Sequence, residues 1–314
     1  MRDVAIVAFA ETPILEAAPA TDEVEMVRSV VNQALAQVGL DRREIGFFCS
    51  GSCDYVQGVP FSFVAAVDAL GAWPPIEESH VEMDGAWALY EAYVRLQHGD
   101  IDTAVVFAFG RPSLGDPADV FSQQLDPYTM GPLWADPDSL AGLQARALFD
   151  AGKLSQLGSV RGGYRDGAAC VILATRERAL ELGKKLDRRA AFIRGIDHRF
   201  ESMQLGFRDL TVSESIKLAA KKARVSEHKI EVAELHGRYE HENVLVREAL
   251  GLGSEVSLNP SGGCTASSVP MVSGLTRIGE LAERILMKQA KCGVAHASSG
   301  PCLQQNLICV LEGG

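Results

Sequence analysis

One order of elements is written twice along this chain, and that repetition constrains the fold more than any single motif. "VGLDRREIGFFCSGS" and "ARVSEHKIEVAELHG" share a design: a helix end, a polar turn, an isoleucine and apolar strand, then glycine in the loop. Each follows a strand run and an amphipathic helix, "VAIVAFAE" with "TDEVEMVRSVVNQALAQVGL" and "AAFIRGIDH" with "TVSESIKLAAKKARV". Each precedes a strand, a helix and a closing strand region: "HVEMDGAWALYEAYVRLQHGD" with "IDTAVVFAFG", and "VSLNPSGGCTASSVPMVSGLTRIGELAERILMKQ" with "CGVAHASSGPCLQQNLICVLEGG". Strands alternating with helices argue for α/β layers, and a duplication of this size for two similar halves packed together. The expected division is a first half over 1–110, an excursion over 111–163 and a second half over 164–314, opened by the strand "DGAACVIL". The excursion is rich in Pro, Asp, Gly and Gln and too long for a simple connection, so some helix is expected in it, such as "SLAGLQARALFDAGK".

With 314 residues, 47% of them hydrophobic, a large core is available. Thirty Lys and Arg against 41 Asp and Glu, with no basic block, argue against nucleic acid and anionic lipid as partners. No stretch reaches the roughly 18 apolar residues of a membrane span. The N-terminal apolar run is short and soon interrupted, which fits a first strand better than a signal peptide. Seven cysteines, odd in number and mostly in apolar stretches, suggest reduced thiols and a cytoplasmic protein. Cys49 and Cys53 have no second pair to complete a zinc site, and no HxH or HxxH spacing occurs, so no metal is expected.

Three stretches concentrate chemistry-bearing side chains. In "HVEMDGAWAL" Glu82 and Asp84 precede a helix, where carboxylates satisfy free N–H groups and complement the helix dipole. "HGRYEHE" gathers His236, Arg238, Tyr239, Glu240, His241 and Glu242; the last three are expected to begin a helix, where acids are ordinary. His296 ends a strand before a glycine turn, a position open to either a structural or a functional role.

Four stretches resemble the thiolase superfamily, across nearly the whole chain. "DGAACVIL" looks like the DGAA strand that opens the second thiolase half, and "NPSGG" at 259–263 like that family's NPSGG turn. "ELHGRYEHENVLVREALGL" is similar to the HDCF-type segment of sterol carrier protein x thiolases. "HVEMDGAWALYEAYVRLQHGD" is similar to the nucleophile strand and helix. The resemblance implies a five-layered αβαβα fold from two duplicated halves. It also implies departures from thiolase chemistry: Glu82 stands where the acyl-accepting cysteine would be, Val269 where the catalytic histidine would be, and "HASSG" where the second cysteine would be. Only His236 matches a functional position.

The likeness is greatest to short, cysteine-lacking thiolase-like aldolase subunits of bacterial steroid side-chain degradation, the "lipid-transfer proteins". It implies retro-aldol cleavage of a steroid or sterol 3-hydroxyacyl-CoA, with coenzyme A entering as part of the substrate and no separate cofactor. Implied partners are a longer homologous thiolase-like subunit, in a heterodimer or heterotetramer, and a small OB-fold zinc-ribbon protein. A retro-aldol step needs a base and enolate-stabilising donors rather than a thiolate. The expected site residues are His236, Glu82, Tyr239, His296, Asp84, Glu240 and His241. The alternative is a catalytically silent structural subunit of a heteromeric thiolase-like acyltransferase complex.

Overall fold

The computed structural model describes residues 1–13, 22–71, 75–158, 160–186, 188–265 and 268–314. The first half contains β1 (Val4–Glu11), α1 (Glu23–Val38), β2 (Phe47–Gly51), α2 (Asp54–Gln57), α3 (Ser62–Leu70), β3 (Glu78–Val81), α4 (Gly85–Gln97) and β4 (Thr103–Gly110). Helices α5 (Pro117–Gln123) and α6 (Pro137–Asp150) form the excursion, followed by β5 (Gly167–Thr175) and α7 (Arg176–Leu186). Then come β6 (Ala191–Phe200), α8 (Glu214–Lys222), β7 (Val232–Glu234), α9 (Glu240–Leu250), β8 (Ser257–Leu258), α10 (Ser273–Leu286), β9 (Cys292–Ser299) and β10 (Gln305–Gly313).

The strands run β3-β2-β4-β5-β1-β6-β10-β9-β7-β8. Read from its outer edge, each set of five repeats the same order and the same sense: two parallel pairings, then two antiparallel ones. Among the described residues the sets pair through β1 and β6, where Ala5 faces Phe192 and Ile6 faces Ala191. One expectation is corrected here. The "DGAACVIL" strand pairs antiparallel with β4 and β1, so it completes the first sheet rather than opening the second half. The repeat of the first strand is β6, which begins at Ala191.

Strand alternation sorts side chains into three cores. On β4, Ala104, Val106 and Ala108 enter a central core, while Val105, Phe107 and Phe109 enter an outer one with α1, α3 and α7. On β10, Leu307, Cys309 and Leu311 face the central core, and Ile308 and Val310 face a second outer one with α8 and α9. Helices α4 and α10 fill the central layer, burying Leu89, Leu96, Leu275, Ile278, Leu281 and Ile285. Each such side chain contributes roughly 1.5–3 kcal/mol by its burial. The layers are therefore helix, sheet, helix, sheet, helix. Among the described residues no helix is long and apolar enough to cross a membrane, and all seven cysteines are buried and unpaired.

Candidate active site

The heads of the two central helices meet at one carboxylate. Asp84 accepts from Ala86 N (2.8 Å) at the start of α4, and from Gly274 N (2.9 Å) and Leu275 N (3.0 Å) at the start of α10. A Cβ on Gly274 would lie 2.5 Å from Asp84 Oδ1 and 2.7 Å from the Ala297 Cβ, so only glycine permits this approach. Burial raises the Asp84 pKa to about 6, against the pull of these three donors. Although it borders the cavity described next, Asp84 has its lone pairs taken up by helix termini. The structure places this expected site residue as the shared N-terminal cap of both helices.

In front of the helix heads lies a cavity of about 420 Å3, walled by both halves and by the excursion. His236, two residues beyond β7, stands on its wall. The NPSGG turn holds that segment: Asn259 Oδ1 accepts from Leu235 N (2.6 Å), and Ser261 donates its N–H (3.1 Å) and hydroxyl (2.6 Å) to the fully buried Glu234. Glu234 is balanced by Arg277 on α10, 3.0 Å away. The imidazole is fixed from the other side, since Ser298 N donates to His236 Nδ1 (3.2 Å) and the Ser298 hydroxyl to the His236 carbonyl (2.9 Å). Burial, aided by nearby His296, Arg277 and Arg238, lowers the His236 pKa to about 3. The ring is thus neutral with Nδ1 as acceptor, which leaves the proton on Nε2.

Glu242, at the third position of α9, also lines the cavity. One of its oxygens accepts from Arg238 N (2.8 Å) and Tyr239 N (3.2 Å), and the other has no hydrogen-bond partner among the described residues. Burial raises its pKa to about 7, outweighing both N–H donors and Arg238. A carboxyl group poised there can take up and release a proton near neutrality.

The other expected residues are placed as follows. Tyr239 lines the cavity, but its hydroxyl donates to Asp138 Oδ1 (2.6 Å) and burial drives its pKa far up, so it anchors α9 to α6. Glu82 lies on the rim, half-exposed, and accepts from Asp54 N (2.7 Å) and His80 Nε2 (3.1 Å). His296, Glu240 and His241 do not line the cavity. His296 is buried behind the wall, with Nε2 on Asn306 Oδ1 at 2.9 Å. Glu240 is exposed at the start of α9. His241 is buried and stacks on the Tyr239 ring. In the sequence Glu242 reads as an ordinary helix-start acid, and only its place on the cavity wall singles it out. Cys302, a few residues after "HASSG", carries no signal in the sequence but also lies on the cavity wall. Cys302 sits at φ 53, its Sγ–H donates to Leu140 O (3.3 Å), and burial raises its pKa to about 12. Cys53, also on the wall, has its pKa raised by burial. Neither presents a thiolate at neutral pH.

Two solved structures superpose over the whole chain. A crystal structure of human mitochondrial 3-ketoacyl-CoA thiolase matches with TM-score 0.73 and 15% identity, covering 100% of this chain and 99% of that one. The chain has a thiolase-like fold. A structure of the same human enzyme in complex with CoA matches with TM-score 0.71 and 13% identity, covering 100% of this chain and 98% of that one. No protein-family model and no curated protein sequence matches. In this thiolase-like fold the helix head behind Glu82 carries a carboxylate, and Val269 packs against the central core.

Proposed function

We propose that this chain is the thiolase-like subunit of a heteromeric acyl-CoA retro-aldolase acting on steroid or sterol side-chain 3-hydroxyacyl-CoA thioesters. The observation that carries the reading is His236, a neutral imidazole locked by Ser298 with Nε2–H as its remaining donor, in a cavity without a thiolate. Such a donor suits a thioester oxygen that gains charge, because a neutral N–H fixed in place requires no reorganisation as the enolate forms.

In the proposed step the Glu242 carboxylate takes the proton of the 3-hydroxyl. The bond between the α and β carbons breaks, the β carbon becomes a carbonyl, and the electron pair passes through the α carbon onto the thioester oxygen. The His236 Nε2–H stabilises that enolate. Glu242 then returns its proton to the α carbon, giving a shortened acyl-CoA and a free ketone or aldehyde. No acyl-enzyme forms, so a carboxylate at the head of α4 is compatible with turnover. Phe121, Leu125, Leu140 and Met271 give the cavity an apolar side suited to a bulky acyl chain.

A second reading, the silent structural subunit, is favoured by one observation. The excursion exposes Tyr128 (88%), Leu133 (68%) and Trp134 (62%), an apolar surface suited to a partner. Co-expressing the chain with a thiolase-like partner and assaying a steroid side-chain 3-hydroxyacyl-CoA for carbonyl release separates the readings. Loss of activity in His236→Ala supports the enzyme; full activity in that complex assigns catalysis to the partner.

A further inference from the structure

At the far end of β9 from the cavity, three side chains from separate parts of the sequence converge. His228 follows the 3-10 turn Val225–Glu227, Cys292 opens β9, and Glu312 lies near the end of β10. Cys292 and Glu312 are register partners on adjacent antiparallel strands. One imidazole nitrogen, the Cys292 Sγ and one Glu312 carboxylate oxygen all lie within 4.8 Å of one another. Cys292 is buried, and the other two are half-buried.

The backbone beneath them is pinned. Glu231 N donates to Cys292 O (3.0 Å), Lys291 N to a Glu231 carboxylate oxygen (2.9 Å), Gly313 N to Lys291 O (2.8 Å) and His228 N to Val225 O (3.2 Å). Arg194 Nε holds Glu312 Oε2 at 2.8 Å, which leaves Oε1 for another partner.

We propose that His228, Cys292 and Glu312 bind one zinc-class divalent cation. A nitrogen, a sulfur and a carboxylate oxygen make a donor set that zinc accepts. With metal–ligand bonds of about 2.0–2.3 Å, a tetrahedral ion holds its ligand atoms about 3.3–3.7 Å apart, so side-chain rotation on this fixed backbone closes the site. Binding replaces the thiol proton, which passes to solvent, by the metal–sulfur bond. The thiolate and the Glu312 carboxylate then neutralise the ion, and water fills its fourth position. Ser298, on the cavity wall, is six residues along the same strand, about 20 Å away. The ion therefore lies apart from that cavity, clamping the ends of β9 and β10 to the 225–231 segment, and it is independent of the proposed catalytic reading.

The test uses the full chain after chelator treatment, titrated with Co2+ and then Zn2+. One Co2+ per chain with a thiolate-to-cobalt charge-transfer band, displaced by Zn2+, is the expected result. Free Zn2+ at about a hundredfold over Kd is expected to raise Tm by about 4 °C. Cys292→Ser and His228→Ala abolish the band, whereas Cys302→Ser and His98→Ala retain it. Absence of a thiolate band in the parent chain overturns the proposal, as does a band that persists in His228→Ala. If Cys292→Ser does not fold, His228→Ala decides.

Discussion

The backbone N–H of Ser298 donates to Nδ1 of His236 at 3.2 Å, so the strand that follows the last central helix selects the tautomer of a histidine carried by another strand's loop. The side chain thereby offers a fixed donor rather than a proton-transfer group. Nitrogen-15 shifts of His236 are expected to report a neutral Nε2–H imidazole from pH 5 to pH 9, since burial holds its pKa at about 3. An imidazolium signal at pH 6 would refute this. In the proposed aldolase complex, His236→Ala is expected to lower kcat/KM by about 10²–10³, the usual loss for an oxyanion donor.

In the proposed retro-aldol step Glu242 sets the pH dependence. As a base it must be ionised, so activity is expected to rise through about pH 7, and His236 adds no acid limb above about pH 4. Glu242→Gln flattens the profile and lowers the rate by about 10²–10⁴. Stability changes in the opposite direction. The folded-state pKa is raised, so between the ordinary value of 4.5 and about 7 the native state binds the extra proton. Stability from this group is complete below pH 4.5 and declines as pH rises, by an amount on the order of 3 kcal/mol above pH 7. Denaturant midpoints of parent and variant across pH 5–8 measure it; a midpoint difference independent of pH would be inconsistent with the shift.

Asp84 terminates two helices with one carboxylate. Asp84→Ala leaves three buried N–H groups without an acceptor and is expected to cost about 3 kcal/mol or more. Gly274→Ala is expected to cost about 1–3 kcal/mol through overpacking against Asp84 and Ala297. Urea unfolding distinguishes these from a catalytic role, in which Asp84→Ala would keep its midpoint and lose only rate.

Glu234 and Arg277 form a buried pair that supports the NPSGG turn and, through Leu235, the His236 loop. Glu234→Gln uncouples one partner of a buried ion pair, with an expected loss of about 3–5 kcal/mol in denaturant unfolding. An unchanged midpoint would show that the turn stands without it.

Glu82 has both oxygens engaged on the rim, one by a backbone N–H and one by His80. Glu82→Gln keeps an acceptor for Asp54 N and is expected to change kcat less than tenfold, well short of Glu242→Gln. A loss equal to that of Glu242→Gln would move the base to Glu82.

Periodicity and turn chemistry determined the repeated strand and helix order and the alternation that divides β4 and β10 between inner and outer cores, because each depends on residues a few positions apart. The clustering of His236 with Glu242 was also visible in "HGRYEHE". Pairing and burial were not. Which sheet receives β5 depends on β4 and β1, whose partners lie far along the chain. Glu82 and Asp84, two residues apart, part company because the head of α10 closes over Asp84 and leaves Glu82 at the rim. The same nonlocal packing separates Glu242, buried on the cavity wall, from Glu240, exposed on the same helical turn. His228, Cys292 and Glu312 share no spacing at all. Only the tertiary structure brings them together, since desolvation and proximity are set by segments that the chain connects last.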